Sequence, residues 1–236
     1  MGLLKEIISV FYPKMCVGCG RIIDDGEDFC DYCHNELLRN DSSKFCTKCG
    51  NKKENCECRK RVFHFECLTA PFETDGIAKN VMYAFKFHKK EHLAEVFAKS
   101  MALAVKQSFF DTCFDCIVCV PMYRREKMKR GYNQSELLGI KLAQILNLPF
   151  YYEALGCNKK KKPQHKTLYN ERRENVKGIY FLKKPIKNKT VLLVDDIKSS
   201  GATLEECTLQ LLEGGAKKVY CAVGCVTERK GLKNGN

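Results

Sequence analysis

Eight of the sixteen cysteines fall between Cys16 and Cys58, nearly all in close pairs, and this clustering sets what the N-terminal part of the chain can be. Cys16-Val-Gly-Cys19-Gly20 and Cys46-Thr-Lys-Cys49-Gly50 repeat one pattern, C-x-x-C-G. In such a knuckle two thiolates converge on one metal while backbone N–H groups point at the sulfurs, and the trailing glycine supplies the positive φ that the turn needs. Cys30-Asp-Tyr-Cys33 follows Cys19 after ten residues, enough for a hairpin, and Cys56-Glu-Cys58 follows Cys49 after six. The spacing predicts structural zinc held by Cys16, Cys19, Cys30 and Cys33 and by Cys46, Cys49, Cys56 and Cys58, as one ion or two. A cross-braced pairing of the same knuckles stays open, and redox or iron–sulfur use is the alternative chemistry. Residues 1–60 carry ten Lys/Arg, ten Asp/Glu and little apolar periodicity, so metal must supply folding free energy that a hydrophobic core cannot.

Sixteen cysteines in an exported chain would suggest disulfides. The start, MGLLKEIISVFYPKMC, has its apolar stripe broken by Lys5 and Glu6 and lacks a signal-peptide pattern, which predicts a short amphipathic helix and a cytoplasmic, reducing location. No run of about 18 apolar residues exists, so no membrane insertion is expected. Charge is uneven. Residues 123–190 carry eighteen Lys/Arg against five Asp/Glu, a local net of +13 that equals the whole-chain value. Such a segment attracts phosphates, in a small diphosphate or in nucleic acid.

Composition shifts near residue 60, predicting a zinc module over 1–60 and a second domain over 61–236. Apolar spacing predicts helix over 77–105 with an interruption at 87–91, a strand over 114–120, helix over 135–146, a strand over 190–194, helix over 203–212 ended at Gly214-Gly215, and a strand over 219–226. This alternation predicts an α/β fold with a parallel sheet flanked by helices. The later cysteines, Cys116, Cys119, Cys207, Cys221 and Cys225, fall in apolar segments and read as buried small hydrophobes.

Val191-Leu-Leu-Val194 delivers Asp195 and Asp196 to the carboxyl end of a strand, where ligands of parallel sheets bind. The loop Lys198-Ser199-Ser200-Gly201-Ala202-Thr203 then enters a helix. Its backbone N–H groups, hydroxyls and positive helix end suit a phosphate, and the acid pair suits the hydroxyls of a ribose. A ribose 5-phosphate matches that polarity.

This stretch is similar to the diphosphate-sugar motif of type I phosphoribosyltransferases, and the whole chain resembles the ComF/GntX family of competence-associated proteins. The resemblance rests also on the N-terminal cysteine pairs, Pro121, Arg130-Gly-Tyr-Asn-Gln134, Pro163-Gln164 and Arg172-Arg-Glu-Asn175. Lys198-Ser199-Ser200 departs from the expected neutral residue and two threonines, and 159–162 is all lysine. The resemblance implies a type I phosphoribosyltransferase-like domain behind a double zinc ribbon, acting in DNA uptake. It implies phosphoribosyl diphosphate with Mg²⁺ as ligand, Asp195, Asp196 and Arg130 in catalytic roles, and Arg124 with the 195–203 loop holding the ligand. Arg124, Arg125 and Arg130 are expected in a loop that stabilises the leaving diphosphate. Tyr132, Asn133 and Gln134 are expected to orient substrate or close the site, Arg172 and Arg173 to clamp phosphate, and Asn175 to position it.

Three functions compete. The chain handles single-stranded DNA during transformation, with Tyr132, Tyr151, Tyr152 and Tyr169 as stacking residues. It is an active phosphoribosyltransferase on a base or amine. Or its zinc module docks a partner such as a helicase-type uptake ATPase.

Overall fold

The structure is a computed structural model that describes residues 13–24, 26–39, 42–56, 58, 62–158 and 176–227. The N-terminal helix expected before Cys16 lies outside the described residues, as do 159–162, Pro163, Gln164, Tyr169, Arg172, Arg173 and Asn175.

The centre is a parallel sheet. Strands β1 (Leu68–Thr69) and β2 (Phe72–Glu73) both pair with β7 (Lys218–Val226), β7 pairs with β6 (Thr190–Lys198), and β6 pairs with β3 (Cys116–Cys119). A separate antiparallel pair, β4 (Leu155–Cys157) and β5 (Tyr180–Leu182), stands beside it. The helices are α1 (Asp31–Leu38), α2 (Gly76–Phe87), α3 (Leu93–Ser108), α4 (Arg124–Arg130), α5 (Gln134–Leu146) and α6 (Ala202–Glu213).

Alternation along β6 divides the core. Val191 and Leu193 face α6, with Leu204, Cys207 and Leu211, while Leu192 and Val194 face α2, α3 and α5. Both faces are covered, which is why β6 reads as an unbroken apolar run. The expected interruption of the first long helix falls at residues 88–92, between α2 and α3.

Two elements depart from expectation. β6 runs on to Lys198, so Asp195 and Asp196 sit within the ladder, where Asp195 pairs in register with Val223. Arg124, Arg125 and Arg130 lie on a helix rather than a loop. The segment Arg-Arg-Glu-Lys-Met-Lys-Arg consists of good helix formers, and Gly131 at φ 98° ends it. With no apolar stripe, it carries no periodic signal. Among the described residues, no helix is long and apolar enough to cross a membrane.

Candidate functional site

The eight N-terminal cysteines form two clusters, Cys16–Cys19–Cys30–Cys33 and Cys46–Cys49–Cys56–Cys58, in each of which the sulfurs lie within 4.8 Å of one another. The grouping is sequential, not cross-braced. The Sγ separations are 3.7 Å for Cys19 and Cys30, 3.6 Å for Cys46 and Cys58, and 3.8 Å for Cys49 and Cys56. Four thiolates at a zinc–sulfur distance of about 2.3 Å form a tetrahedron with edges of about 3.8 Å, so both donor sets fit zinc. Gly20 and Gly50 close the two knuckles at φ 76° and 70°. Burial alone would raise the Cys16 thiol, but the N–H groups of Cys30, Cys19 and Gly18 bring it down to about 6. The same opposition brings Cys46 down to about 7, through the N–H groups of Cys49 and Lys48 and the thiols of Cys56 and Cys58. Each ribbon thus holds a sulfur disposed to be a thiolate, the form that binds metal.

The other cysteines behave differently. Burial pushes Cys116 up to about 11 and Cys119 up to about 12, and raises Cys221 and Cys225 as well. These are packing residues, not nucleophiles.

At the carboxyl ends of β3 and β6 a cleft of about 300 Å³ is lined by Lys86, Arg130, Ser135, Asp195, Asp196 and Thr203, among others. Asp195, 8% exposed, accepts at Oδ1 from Ser135 Oγ at 2.6 Å and from the Asp196 N–H at 2.9 Å. Asp196 Oδ2 is paired with Lys86 Nζ at 2.9 Å. Asn133 sets this up: its Nδ2 donates to the Val120 carbonyl at 3.0 Å, and its Oδ1 accepts from the Ser135 N–H at 3.2 Å, capping α5. The end of β3 is thereby tied to the start of α5, and Ser135 is aimed at Asp195.

The loop after β6 turns into α6 through Gly201 at φ 81°, a left-handed position that glycine takes without strain. Ser199 and Thr203 line the cleft, whereas Ser200 is buried and its Oγ accepts from the Ala202 N–H at 3.3 Å. Behind the loop, buried Glu205 accepts from the His64 N–H at 3.0 Å and pairs with the His64 ring.

Several expected site residues sit elsewhere. Lys198 was expected to add positive charge at the phosphate loop. Instead it is 3% exposed, and its Nζ donates to Asn51 Oδ1 in the second zinc ribbon at 2.5 Å. It lies on the ribbon's side of the sheet, where strict alternation with Leu192 and Val194 would not put it: Ile197 packs on the α2 and α3 face, so the alternation shifts by one residue beyond Asp195. Arg130 reaches the cleft and donates to Gln134 Oε1 at 2.7 Å. Arg124 lines an adjoining cavity of about 610 Å³ instead. Tyr132 is no stacking residue, being 5% exposed with its hydroxyl donating to the Phe85 carbonyl. Gln134 is buried and holds Arg130, so of the three residues expected to orient substrate only Asn133 lines the cleft. Lys86 and Ser135 were missed, because their partners lie 110 and 60 residues further along the chain respectively and neither sits in a local motif.

Comparison with known proteins finds two domain matches. A double zinc ribbon domain matches residues 7–68 and a phosphoribosyl transferase domain matches residues 137–234. The DNA utilization protein YhgH of Escherichia coli O157:H7 is 29% identical over 224 residues, covering 91% of this chain and 98% of that protein. Competence protein F of Haemophilus influenzae is 26% identical, covering 87% of each chain, and competence protein ComFC of Bacillus subtilis is 21% identical, covering 82% of each. Among solved structures, a purine phosphoribosyltransferase from Pyrococcus horikoshii aligns over 55% of this chain and 73% of that one, at 18% identity and a TM-score of 0.36, too slight a likeness to carry weight. Two four-cysteine centres ahead of a phosphoribosyl transferase domain, matched over most of their length by these relatives, make the chain similar to the ComF family of competence proteins.

Proposed function

We propose that the chain binds phosphoribosyl diphosphate in the cleft at Asp195 and Asp196 and acts on single-stranded DNA during its uptake or use. The observation that carries this reading is the fixed acid pair. Asp195 is oriented by Ser135 and Asp196 by Lys86, beside a hydroxyl-bearing loop that opens a helix. Carboxylates held this way can accept from ribose hydroxyls, while Ser199, Thr203 and the start of α6 face the 5-phosphate. Arg130 supplies positive charge on the opposite wall for the diphosphate. Mg²⁺ bound to the diphosphate would neutralise its charge. The names of the relatives, a DNA utilization protein and two competence proteins, support the DNA half, and so does the +13 segment.

Calorimetric titration with phosphoribosyl diphosphate and Mg²⁺ tests the first half. Asp195→Asn should weaken binding by at least about tenfold, since a charge-assisted hydrogen bond contributes about 1.5–3 kcal/mol. Equal affinity of the two proteins would sink the reading.

A second reading is active transfer to a base or amine. It is favoured by the 610 Å³ cavity, which shares Pro121, Met122, Asn133 and Cys157 with the cleft and gives an acceptor room beside the ribose. Release of pyrophosphate on adding an acceptor, lost in Asp195→Asn, would establish it.

A further inference from the structure

α2 is amphipathic in an unusual sense. Its inner face buries Val81, Met82, Ala84 and Phe85, as a core-facing helix should. Its outer face presents, beside Lys79 and Asn80, the aromatic residues Tyr83 and Phe87, which are 56% and 57% exposed. The two rings touch, with centroids 4.8 Å apart and planes tilted by 45°, and His88 packs edge-on against Tyr83 at 5.4 Å. Among the described residues, this is the ring contact that joins two exposed aromatic side chains.

The charge around the rings is positive. Residues 79–92 carry four lysines, Lys79, Lys86, Lys89 and Lys90, against the single acid Glu91. Lys79 stands four residues before Tyr83 and eight before Phe87, on one line of the helix. The Arg130 guanidinium lies 5.3 Å from the centre of the Phe87 ring. Arg130 also lines the cleft, and Lys86, one residue before Phe87, is paired with Asp196 inside it. The rings therefore form the rim of the ribose-phosphate cleft, not a remote patch.

We infer that Tyr83 and Phe87 are a stacking platform for the unpaired bases of single-stranded DNA, which runs past the mouth of the cleft with its phosphates beside Lys79, Lys89 and Arg130. Flat apolar faces set in a cationic surround match a polyanion with exposed bases. A protein partner would be met as well by aliphatic side chains and has no need of the cations. This platform adds to the residues expected from the sequence, of which Tyr132 is buried and Tyr169 lies outside the described residues. The inference rests on the DNA-binding half of the proposed function and locates it.

The test is fluorescence anisotropy of a labelled oligothymidylate, and of a duplex of equal length, with the zinc-loaded full chain. Tyr83→Ala with Phe87→Ala should weaken single-strand binding by about tenfold or more, while Tyr83→Phe, which keeps the ring, stays near wild type. Lys89→Ala should instead lower the slope of log K against log salt by about one. Thermal melting checks that the alanine variant is folded, and both rings are exposed, so an unchanged Tm is expected. Unchanged single-strand affinity in the double alanine variant would overturn the platform and leave DNA binding intact. Equal wild-type affinity for single strand and duplex would overturn it too, because paired bases cannot stack on the rings. No binding of either by wild type would sink the DNA reading itself, and the platform with it.

Discussion

The first ribbon packs with α2 and α3. Val17 and Phe29 lie against the core on that face, Leu37 of α1 is buried in it, Asn80 Nδ2 of α2 donates to the Gly18 carbonyl at 2.7 Å, and Asp28 meets Lys90 at 3.2 Å and His92 at 2.5 Å. The second ribbon lies across the sheet. Phe45 and Cys49 are buried in the core around α6, and Asn51 accepts from Lys198 at the end of the strand that carries the acid pair. One repeated knuckle thus serves two different neighbours, the aromatic rim in one case and the end of β6 with its following loop in the other. Duplication in sequence does not mean duplication of role, because each copy is defined by what it buttresses.

The largest effect separates the two metals. Cys33→Ser and Cys49→Ser should each remove one zinc per chain, read by metal analysis, since a structural site with three thiolates is far weaker than one with four. Cys49→Ser should abolish most phosphoribosyl diphosphate binding, and Cys33→Ser should damage single-strand binding more. If both variants lose both activities equally, the division of labour is wrong. Next comes a glycine pair. A Cβ on Gly50 would lie 2.3 Å from Leu68 Cδ2, whereas on Gly20 its nearest neighbour is Met15 Cε at 3.7 Å, and both residues have positive φ. Gly20→Ala should cost about 1–2 kcal/mol from backbone strain alone. Gly50→Ala adds overpacking, a further 1–3 kcal/mol or about that, so its Tm should be clearly the lower. Equal losses would mean that the second knuckle packs no more tightly than the first.

Smaller still are the polar tethers. Asn51→Ala removes a bond from a charged donor and Asn80→Ala one from a neutral amide, so denaturant melts should show losses of about 1.5–3 and about 1 kcal/mol respectively. The smallest effect is a pH dependence confined to the first ribbon. Partial burial alone would raise the Asp28 carboxyl, but Lys90 and His92 hold it below its ordinary value. A lowered folded-state pKa gives stability that is present above the unfolded value of about 3.9 and lost as pH falls through the folded one. The Tm difference between wild type and Asp28→Asn should therefore be constant near neutrality and vanish in acid. A difference that persists there would remove the ion pairs from the account.

Local chemistry was legible in the sequence, and long-range chemistry was not. The cysteine knuckles, the strand–acid–glycine loop and the interruption after Phe87 each declare themselves within a few residues. β1 and β2 have two residues each, divided by Ala70-Pro71, too short for any alternation to register. α4 is charged throughout and offers no apolar period. Ser135 on Asp195 and Lys86 on Asp196 join segments distant in sequence, and only the folded sheet brings them together. The loop's chemistry argued for phosphate at Lys198, but β6 runs on to that residue and its alternation shifts by one past Asp195, which turns the side chain to the second ribbon.

β1 is the outer strand of the sheet, and the Leu68 N–H donates to the Thr47 carbonyl of the second ribbon at 2.5 Å, not to another strand. The ribbon is in that sense a lid on an open edge. Open edges recruit strands from other molecules. Stripping the metal would therefore expose a template for pairing with a second chain, and the visible result of chelation would be concentration-dependent association, not only a lower melting temperature.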